Sequence, residues 1–385
     1  MILPISPAIT LFPPLALRED DDGNVESLDH YLVRLADCLG ISVLSVFRML
    51  ASRSSTGGLP SRDVANRNAW IGPSPRTAEC VSSLIQATGV PDLYRGTFRN
   101  LSLVLSGIGF ANCNASANAR KWCPRCYLDW EDSSSFEPLY WSFGALSTCP
   151  LHRCRMRSRC RHCGCRQHHG SGYRTRRRCR SCLAPLGEPA NAIGVADYEA
   201  WVDMQCVMTA HAASITERVI APNNFDLYFE RVLARWQEGE PVAAYVKASM
   251  SNLQRRWKKG ERHLRPTFVQ YLNFASFHGT NVDEILLSPD SAAAEPLIEG
   301  ARHSFTHYTL RRPLIQTLEA LREAFDNLLA SDIPYLPTAA TVCAFFEVDY
   351  SYVRERMKDA VDSYSNTLVR QGRRHSKQAL RRAFA

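Results

Sequence analysis

The sequence contains no apolar run of roughly 18 residues or more, so no segment is expected to cross a membrane. Its apolar N-terminal stretch lacks a positive region, and acidic residues follow it directly, which argues against a secretory signal. Without export, the 14 cysteines fit metal ligands or buried thiols better than disulfides. With 385 residues, 45% of them hydrophobic, the chain is long enough for two or three domains with buried cores.

Motifs of common enzyme classes are missing as well. The sequence has no GxxxxGKS/T phosphate loop, no GxGxxG after a strand, no HExxH and no GxSxG. No combination of nucleophile, base and oxyanion stabiliser is recognisable, so we expect no enzymatic activity.

Metal-ligand residues are concentrated in the middle of the chain. Nine of the 14 cysteines lie between Cys123 and Cys182. Four pairs, CPRC, CPLH, CRHC and CRSC, each enclose two residues, a spacing that lets two side chains hold one side of a tetrahedral ion. Thiolates with one imidazole favour zinc. The candidate ligands are Cys123, Cys126, Cys149, His152, Cys160, Cys163, Cys179 and Cys182.

The natural grouping of these ligands is sequential, with the first two pairs at one zinc ion and the last two pairs at another. An interleaved grouping has the same spacings and stays open. Cys154 and Cys165 lie inside the segment and could replace a neighbouring ligand. Because four protein ligands would close each site against water, we predict two structural zinc ions per chain and no catalytic one.

Outside this segment the apolar residues repeat at helical spacing, and no convincing strand alternation follows residue 190. We therefore expect a mostly α fold in three domains. They are an N-terminal helix-turn-helix-like domain (1–118), a central two-zinc finger or ribbon module (119–188), and a C-terminal helical domain with helix-turn-helix units and a basic tail (189–385).

Three helix-turn-helix outlines are recognisable. The first has helices on either side of Gly40, a pattern shared by DNA-binding units and ordinary helical hairpins. The second, Pro266–Leu287, opens its second helix with Asp283 and Glu284, which would repel phosphate, so a structural or protein-binding role is expected. The third, Pro337–Val361, presents polar and basic side chains opposite an apolar face and suits the major groove, although an ordinary amphipathic hairpin stays open.

Basic residues define candidate nucleic-acid contacts. Between Glu137 and Glu188 there are eleven arginines and no acidic residue. Part of this excess would offset thiolate charge, but arginine also binds phosphate in a bidentate manner. A second basic run closes the chain after Asp362. The predicted nucleic-acid-binding residues are Arg155, Arg157, Arg176, Arg177, Arg178, Ser351, Arg354, Lys358, Arg373 and Arg374.

Three stretches carry a family resemblance. They are ESLDHYLVRLADCLGIS after a proline-containing lead, then CPRC … LYWSFGALSTCPLHRCRMRSRC, in which Trp141 and Phe143 precede the CPLH pair, and finally CRHC … CRSC. Together they cover about residues 1–190 and resemble the TniQ family, which includes the TnsD-type target selectors of transposons. The density of arginine between the ligand pairs is higher than is expected of that family.

The resemblance implies a non-enzymatic adaptor for target-site selection in DNA transposition. Such an adaptor binds target DNA, a CRISPR RNA-guided (Cascade-like) effector complex, or both, and recruits a AAA+ ATPase transposition regulator. The resemblance also implies a bacterial, cytoplasmic and nucleoid-associated protein, and a homodimer stays open. The alternative is a zinc-dependent DNA-binding transcription regulator.

Overall fold

A computed structural model describes most of the chain. The described residues are 10–53, 70–105, 120–130, 136–167, 177–195, 197–215, 220–221, 223–237, 265–294, 315–330, 336, 338–339, 342–343 and 350–370. The chain divides into a larger unit with nine described α-helices and a smaller unit with three. The three-domain division predicted from the sequence stays a prediction.

The larger unit contains helices α1 to α9 and three short 3-10 helices. The 3-10 helices span Leu93–Gly96, Arg99–Leu101 and Leu139–Ser142. The α-helices are α1 Leu28–Cys38, α2 Val43–Arg53, α3 Pro75–Thr88, α4 Pro124–Asp129, α5 Asp197–Ile215, α6 Asn223–Gln237, α7 Phe268–His278, α8 Val282–Leu287 and α9 Pro289–Ala294.

The smaller unit contains α10 Ile315–Ala330, α11 Tyr350–Arg356 and α12 Lys358–Arg370. Among the described residues of both units, extended backbone pairs only in isolated bridges and forms no named strand. The mostly α fold is therefore confirmed. No described helix combines the length and the apolar character needed to cross a membrane.

The first helix-turn-helix outline is present as two helices joined by a tight turn. Gly40 ends α1 with φ +66°, a conformation that favours glycine, and Ser42 accepts a hydrogen bond from the Ser45 backbone at 3.1 Å to cap α2. The apolar faces of α1, α2 and α3 share one core, which includes Leu28, Tyr31, Leu35, Val46, Phe47, Val81 and Leu84. DNA contact by this unit stays a prediction.

A buried charged network lies beside α1. Glu26 has no exposed surface, accepts a hydrogen bond from Arg34 Nε at 2.7 Å, and lies 2.5 Å from His30 Nδ1. The backbone around Glu26 pairs with the segment before the CPLH pair, since Ser27 N donates to the Glu137 carbonyl at 2.9 Å. The N-terminal helices and the cysteine-bearing segment are thus joined through buried polar contacts.

The second helix-turn-helix outline is formed by α7 and α8. Thr267 and Gln270 make a capping box at the start of α7, and Gly279 ends the helix at φ +67°. Asn281 and Glu284 form the predicted capping box of α8, which packs against α5 and α6. The apolar face of α8, predicted from the sequence, is buried through Val282, Ile285 and Leu286.

In the smaller unit, α10 packs against α12 around a core of its own. Val353, Met357 and Val361 belong to this core, as the third helix-turn-helix outline predicted. Arg354 and Lys358 are exposed. The single helix expected here is divided at Met357 into α11 and α12, although Met357 N still donates to the Val353 carbonyl at 2.7 Å.

Candidate metal centre

The first ligand pair stands at the start of α4. Cys123 is the residue that caps the helix, and Pro124 follows at the first helical position, where a missing N–H costs nothing. The Cys126 backbone N–H donates to Cys123 Sγ at 3.3 Å. Because the first turn of the helix fixes the spacing of the two residues, both sulfurs point to the same side of α4.

The second ligand pair stands on a tight hairpin, which we call the knuckle hairpin. Cys149 N donates to the Cys154 carbonyl at 2.9 Å, and Arg153 N donates back to the Cys149 carbonyl at 2.7 Å. Thr148 and Arg155 form a bridge that closes the hairpin, and Arg153 turns the chain with φ 51°. Cys149 and His152 therefore project from one compact turn.

The same hairpin recurs twice further along the chain. In each copy the first cysteine donates to the carbonyl five residues later and accepts from the N–H four residues later. The residue whose N–H donates this second bond has a backbone in the left-handed region in all three copies. These residues are Arg153, Gly164 and Leu183. The hairpins begin with Cys149, Cys160 and Cys179. The equal Cys-x-x-Cys/His spacing is the sequence signal that all three copies share, and the first two copies also have a cysteine five residues after the first ligand.

The first two pairs bring four donor atoms together. His152 Nδ1 lies 3.2 Å from Cys126 Sγ, 3.5 Å from Cys123 Sγ and 3.7 Å from Cys149 Sγ. All four donor atoms lie within 4.8 Å of one another. Zinc bonds of about 2.0–2.3 Å place tetrahedral ligands roughly 3.3–3.8 Å apart. The spacing and chemistry of these donors therefore fit zinc.

The thiols of this group share one buried space. Hydrogen bonds from Cys123 and then Cys126 lower the pKa of Cys149 to about 2, whereas hydrogen bonding to Cys123 and then Cys149 raises the pKa of Cys126. The site thus stabilises one thiolate and disfavours deprotonation of a second thiol, since buried like charges repel. A divalent cation would offset that repulsion, so the donor set is better suited to a metal than to three thiols alone.

A carboxylate lies behind the histidine ligand. Asp129, the last residue of α4, has Oδ2 3.0 Å from His152 Nε2, while His152 Nδ1 faces the sulfurs. Such a contact fixes which ring nitrogen carries the proton and leaves the other free to bind metal. Sequence reasoning missed Asp129, although an acidic residue three positions after the CPRC pair was a usable signal.

Asp129→Asn is expected to weaken zinc binding at the first group by about 10–100-fold, because the imidazole loses the carboxylate that orients it. Competition with a chromophoric chelator measures this change. Arg125→Gln is the control. Arg125 also contacts Asp129, at 3.8 Å, but both side chains are more than 40% exposed, so this change should leave zinc affinity unchanged. Equal affinities of the Asn variant and the wild type would rule out the role of Asp129.

The remaining pairs form a second group. The donor atoms of Cys160, Cys163, Cys179 and Cys182 lie within 4.8 Å of one another. Cys179 Sγ accepts hydrogen bonds from Gln167 Nε2 and Ser181 N, both at 3.3 Å. The sequential grouping of the ligands, rather than the interleaved one, is therefore the arrangement in the structure. The described cysteines form no disulfide.

Aromatic and acidic side chains hold the knuckle hairpin in place. Trp141 is buried against Trp130 at 5.3 Å between ring centroids, and Phe143 lies 4.5 Å from Phe268. Asp203 on α5 accepts hydrogen bonds from Ser147 N at 2.7 Å and from the Thr148 backbone and hydroxyl. Burial raises the pKa of Asp203. No pattern in the sequence signals this contact, because the two segments lie far apart in the chain.

Several of the predicted nucleic-acid contacts take part in intramolecular interactions. Arg155 makes a two-pronged ion pair with Glu199 at 3.1 Å, and Arg157 lies 3.5 Å from Glu188. Arg178 donates to the Leu183 carbonyl within its own hairpin at 3.2 Å.

The other predicted contacts differ in what the structure describes. Arg177 donates to the carbonyls of Tyr127 and Trp130. The backbone of Ser351 lies in α11, but its side chain is outside the described part of the chain, as are Arg176, Arg373 and Arg374. Nucleic-acid contact by all of these residues stays a prediction.

The helical fold and the two groups of Cys and His donors define a class: a mostly α protein with two candidate zinc centres. The model of the TniQ family matches residues 22–156, which include α1 to α4 and the whole first donor group. No curated protein matches the chain. This match supports assigning the chain to the TniQ family. That family is associated with target selection in transposition.

Proposed function

We propose that this protein is a non-enzymatic adaptor that selects target sites for DNA transposition. The observation that carries the proposal is the TniQ match, which spans both the N-terminal helical core and the first donor group. Backbone pairing joins the described residues of these two parts, since Ser27 N donates to the Glu137 carbonyl and Leu139 N donates to the Val25 carbonyl. The adaptor recruits a AAA+ ATPase transposition regulator and engages DNA, a CRISPR RNA-guided complex, or both.

Two zinc ions act as structural crosslinks in this proposal. The first is held by Cys123, Cys126, Cys149 and His152, and the second by Cys160, Cys163, Cys179 and Cys182. Zinc supplies a fixed tetrahedral junction between segments that have little secondary structure of their own. Because protein donors fill all four positions at each ion, neither centre has a place for a reacting water or substrate. This supports an adaptor rather than an enzyme.

Direct DNA contact is proposed for the face of α11 and α12 that carries Arg354 and Lys358. Both side chains are exposed, while Val353 and Met357 on the opposite side are buried in the core of the smaller unit. Exposed basic side chains on helices whose apolar faces pack against a core are suited to phosphate contact in the major groove. The basic residues after Asp362 extend the positive charge of this part of the chain.

Changing Arg354 and Lys358 together to Gln is expected to lower affinity for duplex DNA by about 10–100-fold, since each lost phosphate contact weakens binding and reduces the salt dependence. Fluorescence anisotropy with labelled duplexes at 50 and 200 mM salt measures both quantities. Arg322→Gln, an exposed charge change on α10, is the control and should leave affinity nearly unchanged.

Other outcomes separate the rival functions. Absence of duplex binding at low salt, together with capture of a CRISPR RNA-guided complex, would replace direct DNA contact by docking onto that complex. Binding of promoter DNA without association with a AAA+ ATPase would favour the transcription regulator. Cleavage of DNA by the zinc-loaded protein would contradict the non-enzymatic proposal.

A further inference from the structure

The first donor group has a fifth candidate ligand beside it. Cys154 is 1% exposed, and its Sγ lies 3.5 Å from Cys123 Sγ. Within the group itself, Cys126 Sγ and Cys149 Sγ are 3.7 Å apart. The sulfur of Cys154 is therefore as close to Cys123 as the sulfurs of two ligands in the group are to each other. Four tetrahedral positions therefore face five candidate donors, the four buried sulfurs and the half-buried His152.

The knuckle hairpin itself does not need a thiol at this position. Cys154 is the fifth residue after Cys149, and in the third copy of the hairpin the same position is Ala184. The second copy has Cys165 at this position, and in all three copies it is the backbone carbonyl that accepts the closing hydrogen bond, at 2.9 Å from Cys149 N, 3.0 Å from Cys160 N and 2.8 Å from Cys179 N. The sulfur of Cys154 is thus an addition to the hairpin and is not required to form its turn.

We infer that Cys154 is a reserve ligand of the first metal site and takes the position of Cys123 when that thiolate is lost. The inference rests on the proposed zinc site. The step is an acid–base exchange without oxidation. The Cys123–metal bond breaks, the proton of the Cys154 thiol passes to the freed Cys123 sulfur 3.5 Å away, and the Cys154 sulfur forms the new metal bond. The substitution keeps three sulfurs and one imidazole nitrogen around the ion, so its charge balance is unchanged.

The position of Cys154 favours Cys123 as the ligand that it replaces. Cys123 is the ligand whose sulfur contacts Cys154, and it caps α4 from outside the first turn. Cys126 lies within the helix and pairs with Cys149 on the far side of the group. Loss of Cys126 should therefore have no substitute, and Cys126→Ala serves as the matched control.

Zinc content of the purified full-length chain tests the inference, with absorption of the cobalt-substituted protein as a count of bound thiolates. Wild type, Cys154→Ala and Cys123→Ala should each hold two metal ions, whereas Cys123→Ala/Cys154→Ala and Cys126→Ala should hold one. The cobalt–thiolate band of Cys123→Ala should keep the wild-type intensity, because the number of bound sulfurs is the same.

Two results would overturn the inference: one metal ion in Cys123→Ala, or two in the double variant. Fewer than two ions in wild type would instead contradict the proposed zinc sites themselves. Two ions in Cys126→Ala would overturn the assignment of Cys154 to the position of Cys123. If the alanine variants are insoluble, Cys123→Ser with and without Cys154→Ser gives the same comparison at nearly constant side-chain size.

Discussion

Cys149→Ala is expected to release the first zinc ion and to unfold the segment that carries the first donor group. Cys149 is fully buried and is the only sulfur that the knuckle hairpin contributes to the first group of four donors, which it forms with α4. A structural zinc ion contributes about 10–16 kcal/mol to folding. Whole domains are stable by only about 5–15 kcal/mol. The free energy of folding lost with the ion should therefore exceed the stability that the remaining contacts supply.

Metal analysis and thermal unfolding measure this effect. The variant should hold one zinc ion instead of two and lose its cooperative transition, and chelation of the wild type should reproduce the change. Cys206→Ala is the control, since Cys206 is equally buried, on α5, and belongs to neither donor group. Two bound ions and an unchanged transition in Cys149→Ala would show that the group is not a zinc site.

Glu26→Gln is expected to lower the free energy of unfolding by about 3–5 kcal/mol at neutral pH. The substitution keeps the size of the side chain but removes the charge that Arg34 contacts at 2.5 Å, and Arg34 is itself buried. The guanidinium would then be a buried charge without a counter-ion. Glu19→Gln is the control, because its ion pair with Arg95 is partly exposed and should contribute at most about 1 kcal/mol.

The same residue gives a pH dependence with a defined sign. Burial alone would raise the pKa of Glu26, but His30 and then Arg34 outweigh it and hold the pKa below its usual 4.5. The stabilisation is therefore fully present above about pH 4.5 and is lost as the pH falls through the lower folded pKa. Urea unfolding at pH 7 and at several values below pH 5 should show the wild type and Glu26→Gln converging in stability. A constant difference in stability between the two proteins at every pH would exclude this network as the cause of the pH dependence.

Much of the site could be predicted from the sequence because its ligands come in pairs with a local spacing. The spacing of the ligands is encoded in four short motifs, three of which form hairpins, and helix periodicity with the glycines at 40 and 279 located α1, α7 and α8. The contacts of Asp129 and Asp203 could not be predicted in the same way. They depend on which distant segments pack together, and no periodicity in a single sequence encodes that.

The third helix-turn-helix outline shows where local patterns are sufficient and where they are not. The burial of Val353 and Met357 followed from helical spacing, but the division of the helix at Met357 did not. Met357 is a good helix former, so propensity alone gives no reason for a break there. The exposure of Arg354 and Lys358 followed from the same spacing, whereas what they bind depends on a partner that the sequence does not specify.

The backbone pairing of Ser27 with Glu137 and of Val25 with Leu139 has a consequence for biosynthesis. On the ribosome, α1 leaves the exit tunnel long before Glu137 and Leu139 are made. The backbone pairing beside the N-terminal core therefore cannot form until the CPLH pair is close to emerging. Local helices form early and long-range pairings late, because closing a long loop costs chain entropy. Zinc capture and completion of the N-terminal core therefore fall in the same stage of synthesis.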